Sequence, residues 1–282
     1  MTRIIALVDG SVYSESVCDH AAFLATRSEA EILLLHVIGR RTARPEDLSG
    51  SIGLGARTKL MRELAELDEK QARLALKRGR AILEDGKARL HRAGVARVGT
   101  VLRHGDLVEE LTALEKDADL VVIGKRGEAT DFARLHLGSN LERVVRASAR
   151  PVLVAARAFR PVSDFLVAFD GGQTIVGALE WIAGNPVFRG SGCRLLMVGS
   201  DTPETREAIE GAAALLRGAG FDVACQIEAG QPERVICEQA RTHGIDLLVM
   251  GAYGHSRIRS LIIGSTTTAL VQSCQLPVML FR

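Results

Sequence analysis

The sequence predicts an α/β protein built twice: two tandem, doubly wound, Rossmann-like parallel-sheet domains of strand order 3-2-1-4-5, related by internal duplication. Three observations carry this. Short Val/Ile/Leu-rich runs, nearly continuous, alternate with helical patterns such as "SESVCDHAAFLATRS", the signature of parallel strands covered on both faces. The chain also aligns with itself segment by segment. Finally, 282 residues exceed the usual size of one domain and suffice for two cores.

The elements follow in order. "RIIALVDGS" (3–11) opens the first copy and is answered by "DFLVAFDGG" (164–172). "EILLLHVIG" (31–39) is answered by "CRLLMVGS" (193–200). "GDLVEELTALEKDADLVVIGKRG" (105–127) matches "GQPERVICEQARTHGIDLLVMGAYG" (230–254), and the closing strand "ARPVLVAAR" (149–157) matches "QLPVMLFR" (275–282). The junction lies near "RAFRPVSDF", where Pro161 separates the copies, so domains are expected over 1–158 and 162–282.

The first copy carries an extra segment between its second and third strands. A polar loop, "RRTARPEDLSGSIGLG", leads into a helical pattern from about Thr58 to Ala93 with Leu60, Leu64, Leu67 and Leu74 on one face. The expectation is a docking face on the sheet, with a partner-binding stripe as the alternative. Gly79 and Gly86 predict a weakened, bent middle.

Composition narrows the function. A formal charge of +2 and only 4% aromatic residues give no electrostatic footprint or stacking platform for nucleic acid. The five cysteines, Cys18, Cys193, Cys225, Cys237 and Cys274, include no C-x-x-C; reduced thiols are expected rather than a disulfide framework or zinc site. The seven histidines are dispersed, which predicts no metal site. The N-terminus enters an apolar strand without a signal-peptide pattern, and no apolar run is long enough to span a bilayer, so a cytoplasmic protein without membrane contact is expected.

The chemistry-bearing stretch is "DLLVMGAYGHSRIRSLIIGSTTTALVQ" (246–272). In an open parallel sheet ligands bind beyond the carboxyl ends of the strands where strand order reverses, which brings the ends carrying Asp170 and Gly251 to one crevice. Gly251 and Gly254 allow close backbone approach. Gly264, Ser265 and Thr266 open the next helix, whose free N–H groups and positive dipole end form an anion site.

With its G-2x-G-9x-G-[S/T] spacing, "GAYGHSRIRSLIIGST" resembles the ATP-binding universal stress proteins, and the rest of the chain resembles a tandem member of that family. The resemblance implies ATP, or ADP or AMP, as ligand, with Mg²⁺ entering as the nucleotide's counterion. It implies Asp170, Gly251 and Gly254 beside ribose and phosphates, the backbone at Val198 against adenine, and Gly264, Ser265, Thr266 and Thr267 on the phosphate chain. The matching first-half positions are Asp9, Val37, Gly124, Gly127, Gly138, Ser139 and Asn140. A strand-end Asp and a Ser/Thr run are also ordinary helix caps, and the two roles are compatible. His255, Arg257 and Arg259 are secondary candidates for the outer phosphates.

The copies are not expected to be equivalent. In "GKRGEATDFARLHLGSNLERVV" ten residues, not nine, separate Gly127 from Gly138, and Asn140 and Leu141 stand where the other copy has Thr266 and Thr267. The C-terminal copy is thus the expected principal site, with Lys125 and Arg126 partly compensating in the first. There is no P-loop, G-x-S-x-G or H-E-x-x-H, so no catalytic residue is assigned and any hydrolysis is expected to be slow. The expected function is a nucleotide-responsive regulator in stress response; the alternatives are a scaffold or signalling protein with structural or no nucleotide, and a weak ATPase. The closing strands read as sheet edges that seek partners. Members of the resembled family dimerise there, which implies an intrachain pseudo-dimer and leaves a homodimer possible.

Overall fold

Runs such as Ile4 to Leu7 and Leu120 to Ile123 are buried along their whole length, so each strand must be covered on both faces. The computed structural model, which describes residues 1–39, 54–127, 139–252 and 264–282, meets this demand with one twisted sheet between two helical layers. Gly138, Gly254, His255, Arg257 and Arg259, and the side chains of Leu60 and Ser139, lie outside the described residues.

The first copy runs β1 (Arg3–Leu7), α1 (Tyr13–Ser28), β2 (Glu31–Gly39), α2 (Leu54–Arg92), β3 (Val98–Gly105), α3 (Leu107–Leu114), β4 (Leu120–Gly124), α4 (Ser139–Ala147) and β5 (Val152–Ala155). The second runs β6 (Asp164–Ala168), α5 (Gln173–Gly184), β7 (Gly192–Val198), α6 (Pro203–Gly218), β8 (Val223–Glu228), α7 (Pro232–Thr242), β9 (Leu247–Gly251), α8 (Ser265–Ser273) and β10 (Val278–Phe281).

The ten strands form a single sheet in the order β3-β2-β1-β4-β5-β10-β9-β6-β7-β8. Each half therefore has the expected 3-2-1-4-5 order. Pairing is parallel throughout except at the centre, where β5 and β10 run antiparallel with Val152 opposite Leu280 and Val154 opposite Val278. The two edges that the sequence leaves exposed cover each other, so the intrachain pseudo-dimer is present. The core is continuous across this seam. Leu153 and Met279 lie in the layer beneath α1, α2, α5 and α6, while Val152, Val154, Val278 and Leu280 lie in the layer beneath α3, α4, α7 and α8. Arg27 of α1 fastens the rim, its guanidinium donating to the carbonyls of Val187 and Arg189, each at 2.6 Å.

Three expectations are corrected. First, α2 is one continuous helix of 39 residues. Gly79 and Gly86 do not interrupt it; they let it approach the sheet. A Cβ at Gly79 would lie 2.8 Å from Leu102 Cδ1 and 2.9 Å from His36 Cδ2, and one at Gly86 would lie 3.1 Å from Leu34 Cδ1. Second, Leu64, Leu67 and Leu74 do not dock on the sheet: they are exposed, and among the described side chains of this helix the buried positions are Gly79, Leu83, Gly86 and Leu90. The lengths explain it. A helix of 39 residues spans roughly 58 Å, whereas β2 with its 9 residues spans roughly 30 Å; the N-terminal part of the helix overhangs the body. Third, Cys237 of α7 and Cys274 at the end of α8 are joined in a disulfide, with Cα atoms 6.2 Å apart, rather than held as separate thiols. Their distance along the chain hides a juxtaposition that the packing of α7 on α8 creates. Cys18, Cys193 and Cys225 are free thiols, as expected.

Candidate nucleotide-binding crevice

The first turn after β1 is built from short side chains. Asp9 Oδ1 accepts the Ser11 N–H at 2.9 Å and the Ser14 hydroxyl at 3.2 Å, while Ser14 Oγ accepts the N–H groups of Asp9 and Gly10. Gly10 has φ 80°, left-handed backbone that only glycine adopts without strain, and Gly171 repeats it at φ 73° after Asp170. Asp170 Oδ1 likewise accepts the Gly172 N–H at 2.9 Å. In both copies the strand-end aspartate thus caps its own turn.

Across the crevice β4 ends at Gly124, where a Cβ would lie 2.7 Å from Tyr13 Cβ, and continues to Gly127, where a Cβ would lie 2.8 Å from Asp9 Oδ2. The close approach of the two strand-end loops therefore requires glycine at Gly124, where the neighbour is a Cβ fixed to its backbone, while at Gly127 a side chain would displace the Asp9 carboxylate. Between them opens a cleft of about 1000 Å³. Its walls include Val37 on β2, Asp9 and Ser11 on the first turn, Arg126, and Asn140 and Arg143 on α4. Of the first-half candidates, Asp9, Val37, Gly124, Gly127 and Asn140 are brought together here.

Several lining residues escaped the sequence reading. Asp106 caps α3, its Oδ1 accepting the N–H groups of Val108 and Glu109, and its Oδ2 receives Arg143 at 2.7 Å. The Arg143 guanidinium holds the Asp106 carboxyl below the usual carboxylate range. The Gly105-Asp106 pair ahead of an apolar run was a readable cap signal, but Arg143 belongs to no motif and reaches Asp106 only through the fold. The second copy has Gln231 and Ala269 at the corresponding positions, so this ion pair distinguishes the first cleft. His36, also on the wall, is anchored by Nδ1 to the Val8 carbonyl at 2.7 Å.

Lys125 is not directed at the first cleft, which revises its expected compensating role. It is buried, and its ammonium donates to the carbonyl oxygen of Cys274, a cation at the C-terminal end of α8 in the other half.

In the second half, Val198 ends β7 and Gly251 ends β9, with Gly264 at the N-cap of α8. Ser265 is exposed and Thr266 half-buried on the first turn of that helix. Thr267 is turned inward. It is 3% exposed, and its hydroxyl lies 3.3 Å from the carbonyl oxygens of both Gly251 and Ala252. The hydroxyl ties α8 to the end of β9. Leu141, its counterpart, is equally buried in the first half. The exchange of Thr267 for Leu141 removes this tether between helix and strand at a position that, in the first half, also lines the cleft.

Among the described residues no group of three or more His, Cys, Asp or Glu side chains is placed to hold a metal ion, and no helix is long and apolar enough to cross a membrane.

Comparison with known proteins agrees with this architecture. The model of the Universal stress protein family matches residues 1–156 and again residues 194–282. A universal stress protein of Synechocystis is 34% identical over 287 aligned residues that cover all of both chains. One of Mycolicibacterium smegmatis is 27% identical, covering 99% of this chain and 96% of its own. Among solved structures, a universal stress protein from Archaeoglobus fulgidus superposes with a TM-score of 0.73 at 20% identity, covering 99% of this chain and 97% of that one.

Proposed function

The chain belongs to the universal stress protein family in tandem form, and from that membership and the shape of its strand-end crevice we propose that it is an adenine-nucleotide-binding regulator of stress response, with ATP as the first ligand to test and Mg²⁺ as its counterion. The observation that carries the reading is the cleft of about 1000 Å³ lined by Gly124 and Gly127, where an added Cβ would press on Tyr13 and on the Asp9 carboxylate. A cleft of this size suits a nucleotide. Two guanidinium groups stand on its wall, that of Arg126 and that of Arg143, the second shared with the Asp106 carboxylate, and both offer donors to a polyphosphate.

We divide the chain into domains at 1–158 and 162–282, each with one crevice. In the second, Asp170, Val198, Gly251, Gly254 and Gly264 line the nucleotide's path, with Ser265 and Thr266 as hydroxyl donors at the N-terminus of α8. Its intact motif spacing makes it the proposed principal site. In the first, Asp9, Val37, Gly124, Gly127, Gly138, Ser139 and Asn140 take the same places. The absence of a P-loop lysine from the sequence fits ligand holding rather than rapid hydrolysis.

The test is titration of Mg-ATP into the full chain by calorimetry, beside Gly127→Val and Gly264→Val. Saturable binding is expected, with Gly264→Val removing the tighter class of site and Gly127→Val the weaker. At a hundredfold excess over Kd, ATP should stabilise the fold by about 2.7 kcal/mol. A protein that gains no thermal stability from millimolar ATP, or a double variant that keeps wild-type binding, overturns the proposal.

A further inference from the structure

The strand edges through which two half-chains would associate are consumed inside this molecule by the β5–β10 pair. Self-association of the whole chain thus needs another surface. Among the described residues, four of the six exposed large apolar side chains lie on the overhanging part of α2: Met61, Leu64, Leu67 and Leu74, exposed by 53%, 41%, 54% and 55%. Leu64, Leu67, Gln71 and Leu74 recur at alternating three- and four-residue steps, the spacing of a two-helix seam.

We propose that this segment pairs antiparallel with the same segment of a second copy of the chain. The charges beside the seam select the partner and its direction. On a helix of 3.6 residues per turn, Glu63 and Lys70 flank the seam on one side, and Met61 and Asp68 on the other. A parallel pair sets Glu63 of each copy beside Asp68 of the other, like against like. In an antiparallel pair, equal flanks meet. With Leu64 packed on Leu67 of the second copy, Glu63 faces Lys70 of that copy, and the twofold axis generates the same contact again. Glu69 and Arg73 already pair within the helix at 2.5 Å, on the face away from the seam.

The experiment is sedimentation equilibrium of the full chain over a range of concentrations, with four variants. The wild type is expected to dimerise, and Leu64→Asp combined with Leu67→Asp to be monomeric with an unchanged circular dichroism spectrum, because both leucines are exposed in the single chain. Glu63→Lys alone, and Lys70→Glu alone, each replace two attractive contacts by two repulsive ones and should weaken the dimer by about tenfold. Combining Glu63→Lys with Lys70→Glu should restore it, a rescue that only the antiparallel register allows. A wild type that stays monomeric at high micromolar concentration, a dimer indifferent to the two aspartates, or a double reversal no stronger than the singles overturns the proposal.

Discussion

Replacing Lys125 with methionine should flatten the alkaline limb of the stability profile. The side chain is 9% exposed, and its ammonium is held on the Cys274 carbonyl. Burial first, and then the charge of Arg126, push its pKa down from 10.5 to about 8. An unfolded chain keeps this proton up to 10.5, the folded one only to about 8. Between those values the unfolded state binds more protons, so stability rises with pH; below about 8 both states carry the charge and the folded protein bears the whole desolvation cost. At about 1.4 kcal/mol for each pH unit of separation, that cost is about 3 kcal/mol. The assay is urea unfolding of wild type and Lys125→Met from pH 7 to 10.5. The wild type should gain about 3 kcal/mol relative to the variant across that range. Cys18 and Cys193, each pushed up to about 12 by burial, act in the opposite sense above their ordinary value. Present in both proteins, they cancel in the difference. The lost hydrogen bond adds a constant offset of about 1 kcal/mol and leaves the slope untouched. A difference that stays flat over the whole range refutes the reasoning.

Thr267→Val removes the hydroxyl shared by the Gly251 and Ala252 carbonyls, so it should lower stability by about 1 kcal/mol while leaving ATP affinity within twofold of wild type; thermal unfolding and calorimetry on one sample check both halves of the statement. Glu115 is buried and accepts the Ser148 hydroxyl at 2.6 Å and the Ala149 N–H at 3.1 Å, so Glu115→Ala, which orphans the Ala149 N–H and leaves the Ser148 hydroxyl only the Arg150 carbonyl at 3.2 Å, should cost about 2 kcal/mol in urea unfolding. Reductant should destabilise the wild type by about 2–4 kcal/mol through the Cys237–Cys274 bond and leave Cys237→Ser unaffected, as differential scanning calorimetry with and without dithiothreitol will show.

Whatever depends on neighbours along the chain was readable from the sequence. Apolar runs like Leu120 to Ile123 announced strands buried on both faces, and the repetition of Asp9-Gly10 as Asp170-Gly171 announced two equal turns at two equal strand ends. Glycines such as Gly10 and Gly124 marked the crevice because a left-handed turn or a close backbone approach demands them there. What only the tertiary structure decided depends on which surface covers which. The leucines of α2 have the period of a docked face, yet the sheet ends before the helix does, and Leu64, Leu67 and Leu74 are left in solvent. Gly79 looked like a defect in that helix and is the contact that brings it onto His36 and Leu102. Thr266 and Thr267 are adjacent and chemically alike, but a helix turns about 100° per residue, so one sits half-buried on the first turn while the other faces the core and spends its hydroxyl on β9. Lys125, next to the glycine that ends β4, crosses to the carbonyl end of α8, and Cys237 meets Cys274, because the halves and helices pack at distances that spacing along the chain does not encode.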